Sequence, residues 1–273
     1  MSNKKINIGI LQGRLSQSPK NVLQKFPNRW SEEFNHASKI GYDYIEFFSE
    51  RNFNKKNPVW SKNLLKEYKI NAKKNNLRIY SFVDDFIINN NFTRKKILPY
   101  YKKLINNLAF LKIKILILPF YEKSKITKKN YKKFIPNLDK ICRFSNLKKI
   151  KVLIESNFSP ELFFSIKEKI KSKNLYILFD AGNRINLKRN FYKDLLAFNK
   201  QIKHVHIKDK NNKIQNVILG NGNVKFFKFF KYLKKINYSG YFTIESTRAN
   251  KPLITAHKNL NYVRKLLKKT SFY

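Results

Sequence analysis

The chain has 273 residues, with 59 Lys plus Arg against 17 Asp plus Glu, a formal net charge of +42 and a single cysteine, Cys142. That length suits one α/β barrel better than two domains, so residues 1–273 are read as a single domain. One cysteine excludes an internal disulfide, no run reaches the roughly eighteen uninterrupted apolar residues of a membrane span, and the N-terminal apolar stretch is too short for a secretory signal; a soluble, cytoplasmic protein without a membrane partner is expected.

Eight short segments rich in β-branched and aromatic residues follow one another along the chain. They are INIGILQG (6–13), YDYIEFF (42–48), RIYSFVDD (78–85), KILILPF (114–120), KVLIESN (151–157), LYILFDAGN (175–183), IKHVHIKD (202–209) and GYFTIES (240–246). Near-continuous hydrophobicity in such short runs marks strands buried on both faces, as in a parallel sheet. The segments between them have helical periodicity: Ile97, Tyr101, Leu104, Leu108 and Leu111 form one stripe, Phe226, Phe230 and Leu233 another, and Leu260, Val263 and Leu267 a third. Ser159-Pro160-Glu161 reads as a helix start, and Pro136 predicts a break or kink in the fourth helical stretch. Eight strand-helix units without a linker predict a closed (β/α)8 TIM barrel, with an open doubly wound sheet as the alternative.

Lysine doublets, among them 4–5, 73–74, 102–103, 148–149, 234–235 and 268–269, occur in nearly every putative helix instead of crowding onto one. The abundant Asn, Ile, Phe, Tyr and Lys share A/T-rich codons, so a biased genome can produce this charge without selection for binding, with a functional charge as the alternative. The physical consequence is a diffuse positive field that favours anionic substrates such as phosphosugars, with DNA adhesion that is weak and unspecific.

Barrel enzymes carry their chemistry at the carboxyl ends of the strands. Those ends hold Gln12 and Arg14, Glu46, Asp84, Glu155, Asp180, then His204, His206 and Lys208, and finally Glu245 with Arg248 just beyond. Alternation along a strand sends His204, His206 and Lys208 one way and Asp209 the other. Two glutamates, an aspartate and an imidazole from strands five to eight can therefore converge, a mixed oxygen and nitrogen set that suits Mn²⁺, Mg²⁺ or Co²⁺ better than a structural Zn²⁺. Each charge interrupts an apolar strand, where burial is costly without a partner. His36 and His257 fall in helical stretches and Cys142 reads as helix core. Gly220-Asn221-Gly222, ahead of the helix that begins near Val224, forms either a phosphate cradle or an ordinary turn.

The ordered set GILQGRLS, GYDYIEFF, LILPF, LIES, DAGN, HVHIKD, LGNGNV and GYFTIES resembles the xylose isomerase-like TIM-barrel superfamily, particularly its sugar-phosphate isomerase/epimerase branch, over almost the whole chain. The resemblance implies that Glu155, Asp180, His206 and Glu245 bind one divalent metal. It also implies that Glu155 and Glu245 act as an acid/base pair on opposite faces of a sugar or sugar phosphate, moving a proton next to a carbonyl through a metal-stabilised enediolate. Gln12, Arg14, Glu46, Asp84, Asn183, His204, Lys208 and Arg248 are then the substrate-binding candidates. Asn183 departs from the histidine that ketose 3-epimerases often carry three residues after the metal aspartate, which loosens any transfer of sugar specificity. Dehydration of a keto-polyol on the same metal is the alternative activity; an endonuclease IV-like repair enzyme suits the charge, but four histidines are few for its trinuclear zinc centre. A homo-oligomer is left open.

Overall fold

The computed structural model describes residues 6–18, 22 and 24–272; the lysine doublet at 4–5 lies outside them. Strands β1 (Ile8–Leu11), β2 (Tyr44–Ser49), β3 (Arg78–Asp84), β4 (Ile115–Pro119), β5 (Lys151–Glu155), β6 (Leu175–Asp180), β7 (Ile202–Ile207) and β10 (Tyr241–Ile244) close a barrel in the order β1-β10-β7-β6-β5-β4-β3-β2. The paired registers are parallel, so the closed (β/α)8 barrel replaces the open-sheet alternative. Between β7 and β10 the short strands β8 (Asp209–Lys210) and β9 (Asn216–Val217) add an antiparallel pair. The helices are α1 (Glu32–Ile40), α2 (Lys62–Lys74), α3 (Phe86–Asn89), α4 (Ile97–Phe110), α5 (Ile135–Leu147), α6 (Pro160–Lys169), α7 (Ala181–Ile185), α8 (Phe191–Phe198), α9 (Phe226–Lys235) and α10 (Pro252–Lys269). No helix among the described residues is long and apolar enough to cross a membrane.

Pro136 does not kink a helix. A 3-10 turn over Tyr131–Phe134 leads into α5, and Pro136 stands in its first turn, where a missing N–H costs no helical bond. At α6 the hydroxyl of Ser159 makes no capping bond, so Pro160 and Glu161 carry the start that the sequence signals there.

Internal contacts divide the chain into two compact units. The first takes residues 1–45, 75–78 and 178–273. In it the α9 stripe packs Phe230 against Phe242 and Phe229 against Phe179, and Leu260, Val263 and Leu267 of α10 are fully buried. Gly9 of β1 is required by Tyr44: a Cβ built there would lie 2.3 Å from the Tyr44 ring, whose hydroxyl is fixed by Thr243 Oγ1 at 2.7 Å. Gly9→Ala is therefore expected to destabilise the fold by about 1–3 kcal/mol, the usual cost of overpacking a core. A urea midpoint unchanged from the wild type would show that Tyr44 can yield.

The second unit takes residues 46–74 and 79–177. Phe47 stacks on Tyr68 at 4.1 Å and meets Phe82 edge-on, while Phe92, Phe120 and Phe134 form a second aromatic cluster. The α4 stripe of Ile97, Tyr101, Leu104 and Leu108 is buried, as its period predicts.

Candidate functional site

β7 and β10 pair with Thr243 opposite His206 and Tyr241 opposite His204, which brings Glu245, just past β10, beside Lys208. The side chains of His206, Lys208 and Glu245 are buried and meet there. His206 Nδ1 lies 2.7 Å from Glu245 Oε2, and Lys208 Nζ donates to Glu245 Oε1 at 2.8 Å and to Asp180 Oδ2 at 3.4 Å. Asp180 ends β6; its Oδ1 accepts the Asn183 backbone N–H at 2.7 Å and its Oδ2 the Asn183 side-chain amide at 3.0 Å. Ligand atoms of Asp180 and His206 come within 4.8 Å of one another. From the segment after β1, Arg14 approaches Glu245 Oε1 at 3.5 Å and Gln24 donates to the same oxygen at 3.1 Å. Burial pushes the Glu245 carboxyl up, but the Lys208 ammonium, His206 and the Arg14 guanidinium outweigh it and hold it below the usual carboxylate range.

His204 lies one pleat earlier. Its Nε2 shares a 2.8 Å hydrogen bond with Thr243 Oγ1, which the Tyr44 hydroxyl also meets. Gln12, fully buried, donates to the Trp30 carbonyl at 3.2 Å. Arg248 Nε donates to the Gly13 carbonyl and its Nη1 to the Val22 carbonyl at 2.8 Å, so this predicted substrate residue braces the segment after β1. Burial first, and the nearby Arg14 second, bring the Arg248 guanidinium down to about 10. Glu33, in the first turn of α1, accepts the backbone N–H groups of Gly13 at 2.6 Å and Leu15 at 3.1 Å, and burial raises its carboxyl despite these bonds. Glu33 and Gln24 carry no signature in sequence. Tyr44 could have been found, because it shares strand parity with Glu46.

The Gly220-Asn221-Gly222 turn has the contacts expected of the ordinary-turn reading. Its donors are taken by Asp209, whose carboxylate accepts the N–H groups of Gly220 at 3.0 Å, Gly222 at 2.9 Å and Val224 at 3.1 Å. The protein's own carboxylate occupies these donors.

Within the second unit, Glu46 accepts the Ser81 hydroxyl, and Asp84 accepts those of Ser49 at 2.5 Å and Tyr100 at 2.7 Å. Burial drives the Asp84 carboxyl up. Glu155, at the end of β5, is 5% exposed and accepts the Tyr121 hydroxyl at 3.0 Å. Tyr121, just past the segment 114–120, escaped the sequence reading because a single tyrosine after a strand is no signal. His36 sits on α1 and His257 on α10, and burial raises the thiol of Cys142 in α5.

Asp180, His206 and Glu245 thus form a buried carboxylate and imidazole site. Lys208 and Arg14 supply positive charge to these carboxylates, and the oxygen and nitrogen donor set is of the kind that suits a hard divalent cation.

The profile of the family described as xylose isomerase-like TIM barrel matches residues 34–269. Over 118 residues, 35% of this chain, the sequence is 31% identical to an inosose dehydratase of Clostridium botulinum. The matches span between 31% and 39% of the length of the curated relatives. Two solved structures share the fold: D-psicose 3-epimerase with D-tagatose from Clostridium cellulolyticum H10 (TM-score 0.76, 14% identity, covering 96% of this chain and 99% of that one) and a xylose isomerase-like TIM barrel protein from Mycobacterium smegmatis in complex with magnesium (TM-score 0.72, 14% identity, 97% of each chain). By its barrel topology and by a family match over most of its length, the chain belongs to the xylose isomerase-like TIM barrel family.

Proposed function

We propose that this protein, working as one domain, is a sugar or sugar-phosphate isomerase/epimerase that moves a proton next to a carbonyl, with Glu155, Asp180, His206 and Glu245 holding one divalent ion of the Mn²⁺, Mg²⁺ or Co²⁺ type. The observation that carries the reading is the buried Asp180, His206 and Glu245 group with a lysine ammonium between its carboxylates. When bound, the ion polarises the substrate carbonyl and lowers the cost of the adjacent negative charge. Glu155 and Glu245 take and return the proton from opposite faces. Lys208 and Arg14 stabilise the anionic oxygen that develops, and Tyr121 orients Glu155. That epimerase structures share the fold, and that one relative of the fold is a magnesium complex, supports this reading.

Dehydration of a keto-polyol is the second reading, favoured by the inosose dehydratase similarity. It uses the same proton abstraction with loss of a hydroxyl. NMR of the Mn²⁺-loaded protein with ketoses, ketose phosphates and inosose in D₂O separates the two. Deuterium at the carbon next to the carbonyl with an inverted centre is the epimerase result, and an unsaturated product the dehydratase result. No exchange and no product with any of them overturns both.

The ion itself is tested by stability. Binding of Mn²⁺ to the folded state should raise the melting temperature by an amount that grows with the logarithm of the ratio of free Mn²⁺ to its Kd. Asp180→Asn keeps an oxygen for the Asn183 N–H but removes the ligand charge, so Mn²⁺ affinity should fall by at least about 10- to 100-fold. Equal affinity in both proteins would remove Asp180 from the ligand set.

A further inference from the structure

A cavity of about 540 Å³ opens in the second unit among the segments that follow β3 and β4, at the strand ends where this fold keeps its ligands. The volume suits a small metabolite. Arg94, Lys123 and Lys133 line it together with Asn91, Asn130 and Phe134, and no carboxylate does among the described residues. Glu122, beside Lys123, is engaged by Arg51 at 2.9 Å instead. All three cations are solvent-exposed around an open hollow, and an anion placed among them is attracted by each.

The walls are pinned in place. Asn137 Nδ2 donates to the Phe92 carbonyl at 2.6 Å and the Arg94 carbonyl at 3.1 Å, fixing one wall. Asn130 accepts the Thr127 N–H at 2.7 Å and donates to the Lys125 carbonyl at 3.0 Å, fixing the other. Phe134 forms a rigid buried surface, stacked on Phe92 and edge-on to Phe120. A preformed wall spares a ligand the cost of ordering it.

We infer that this cavity binds the phosphate of a small phosphate monoester, with Arg94, Lys123 and Lys133 around the anion and Phe134 beneath the organic part. The proposal concerns binding and stands apart from the proton-transfer reading, so a failure of either leaves the other intact.

The test is calorimetric titration at physiological ionic strength with glycerol 3-phosphate, inorganic phosphate and glycerol. Arg94→Gln/Lys133→Gln should weaken glycerol 3-phosphate by about tenfold or more, the loss expected when charged hydrogen bonds are removed. Lys66→Gln/Lys73→Gln on α2 removes the same charge from an exposed helix face and should change affinity less than about twofold. Inorganic phosphate should bind more weakly than the ester, and glycerol not at all. Equal losses in the two double variants, or no ester binding by the wild type, would show only the diffuse field of a basic protein and overturn the site. Displacement of the ester by a short single-stranded oligonucleotide at equal phosphate concentration would overturn it in favour of a nucleic-acid surface.

Discussion

Glu155→Gln and Glu245→Gln are each expected to lower turnover on an identified substrate by about 10²- to 10⁴-fold, the usual contribution of a general acid or base. Glutamine keeps a neutral oxygen for a metal and for the Tyr121 and Lys208 hydrogen bonds, so the fold and much of the ion affinity should persist. Only proton transfer is lost. The two losses should be strongly non-additive, because either stops the same relay. The environments of the two carboxylates differ: Lys208, His206 and Arg14 hold Glu245 below the ordinary carboxylate range, whereas Glu155 receives the hydroxyl of Tyr121. In D₂O the variant that retains the proton-abstracting glutamate should still exchange the substrate hydrogen without inverting the centre, which assigns the roles one by one. Near-normal turnover in both variants would remove the pair from the mechanism.

The barrel was legible because burial on both faces writes itself into composition. β4 is Ile-Leu-Ile-Leu-Pro, buried at every position, and so short a β-branched-rich run reads as a parallel interior strand. Strand parity carried part of the site with it, since His206 and Lys208 had to share a direction once β7 was recognised. What stayed hidden depends on three-dimensional closure. Glu33 reads as an ordinary acid in a helix's first turn, yet it is fully buried and holds the amides of Gly13 and Leu15. Arg248 reads as an active-site cation, and its guanidinium also donates to the main-chain carbonyls of Gly13 and Val22. In each case a charged group's partner is a backbone amide or carbonyl, and backbone groups leave no trace in sequence. Gln24 reaches Glu245 from 221 positions away, and no local pattern encodes that contact.

Asp209 shows what such a hidden partnership is worth, and Asp209→Ala should lower stability by about 3–5 kcal/mol. Its carboxylate is fully buried and accepts four backbone N–H groups, from Lys210, Gly220, Gly222 and Val224. Hydrogen bonds to a charged group contribute about 1.5–3 kcal/mol each, and donors left buried without an acceptor add their desolvation cost. Partial rearrangement of the turn keeps the total below the sum. Main chain crowds the carboxylate: a Cβ on Gly222 would stand 2.3 Å from Asp209 Oδ1, so only glycine lets the amide approach. Asp209→Asn should recover little, because Oδ1 and Oδ2 both face donors and an amide NH₂ in either place sets N–H against N–H. Asp209→Ala in turn leaves three convergent amides of the kind that bind anions. Inorganic phosphate or sulfate should therefore raise the melting temperature of Asp209→Ala more than that of the wild type, where the position is filled. Asparagine restoring full stability, or an alanine variant within about 1 kcal/mol of the wild type, would mean that water or other groups satisfy the turn and that the carboxylate does not organise it.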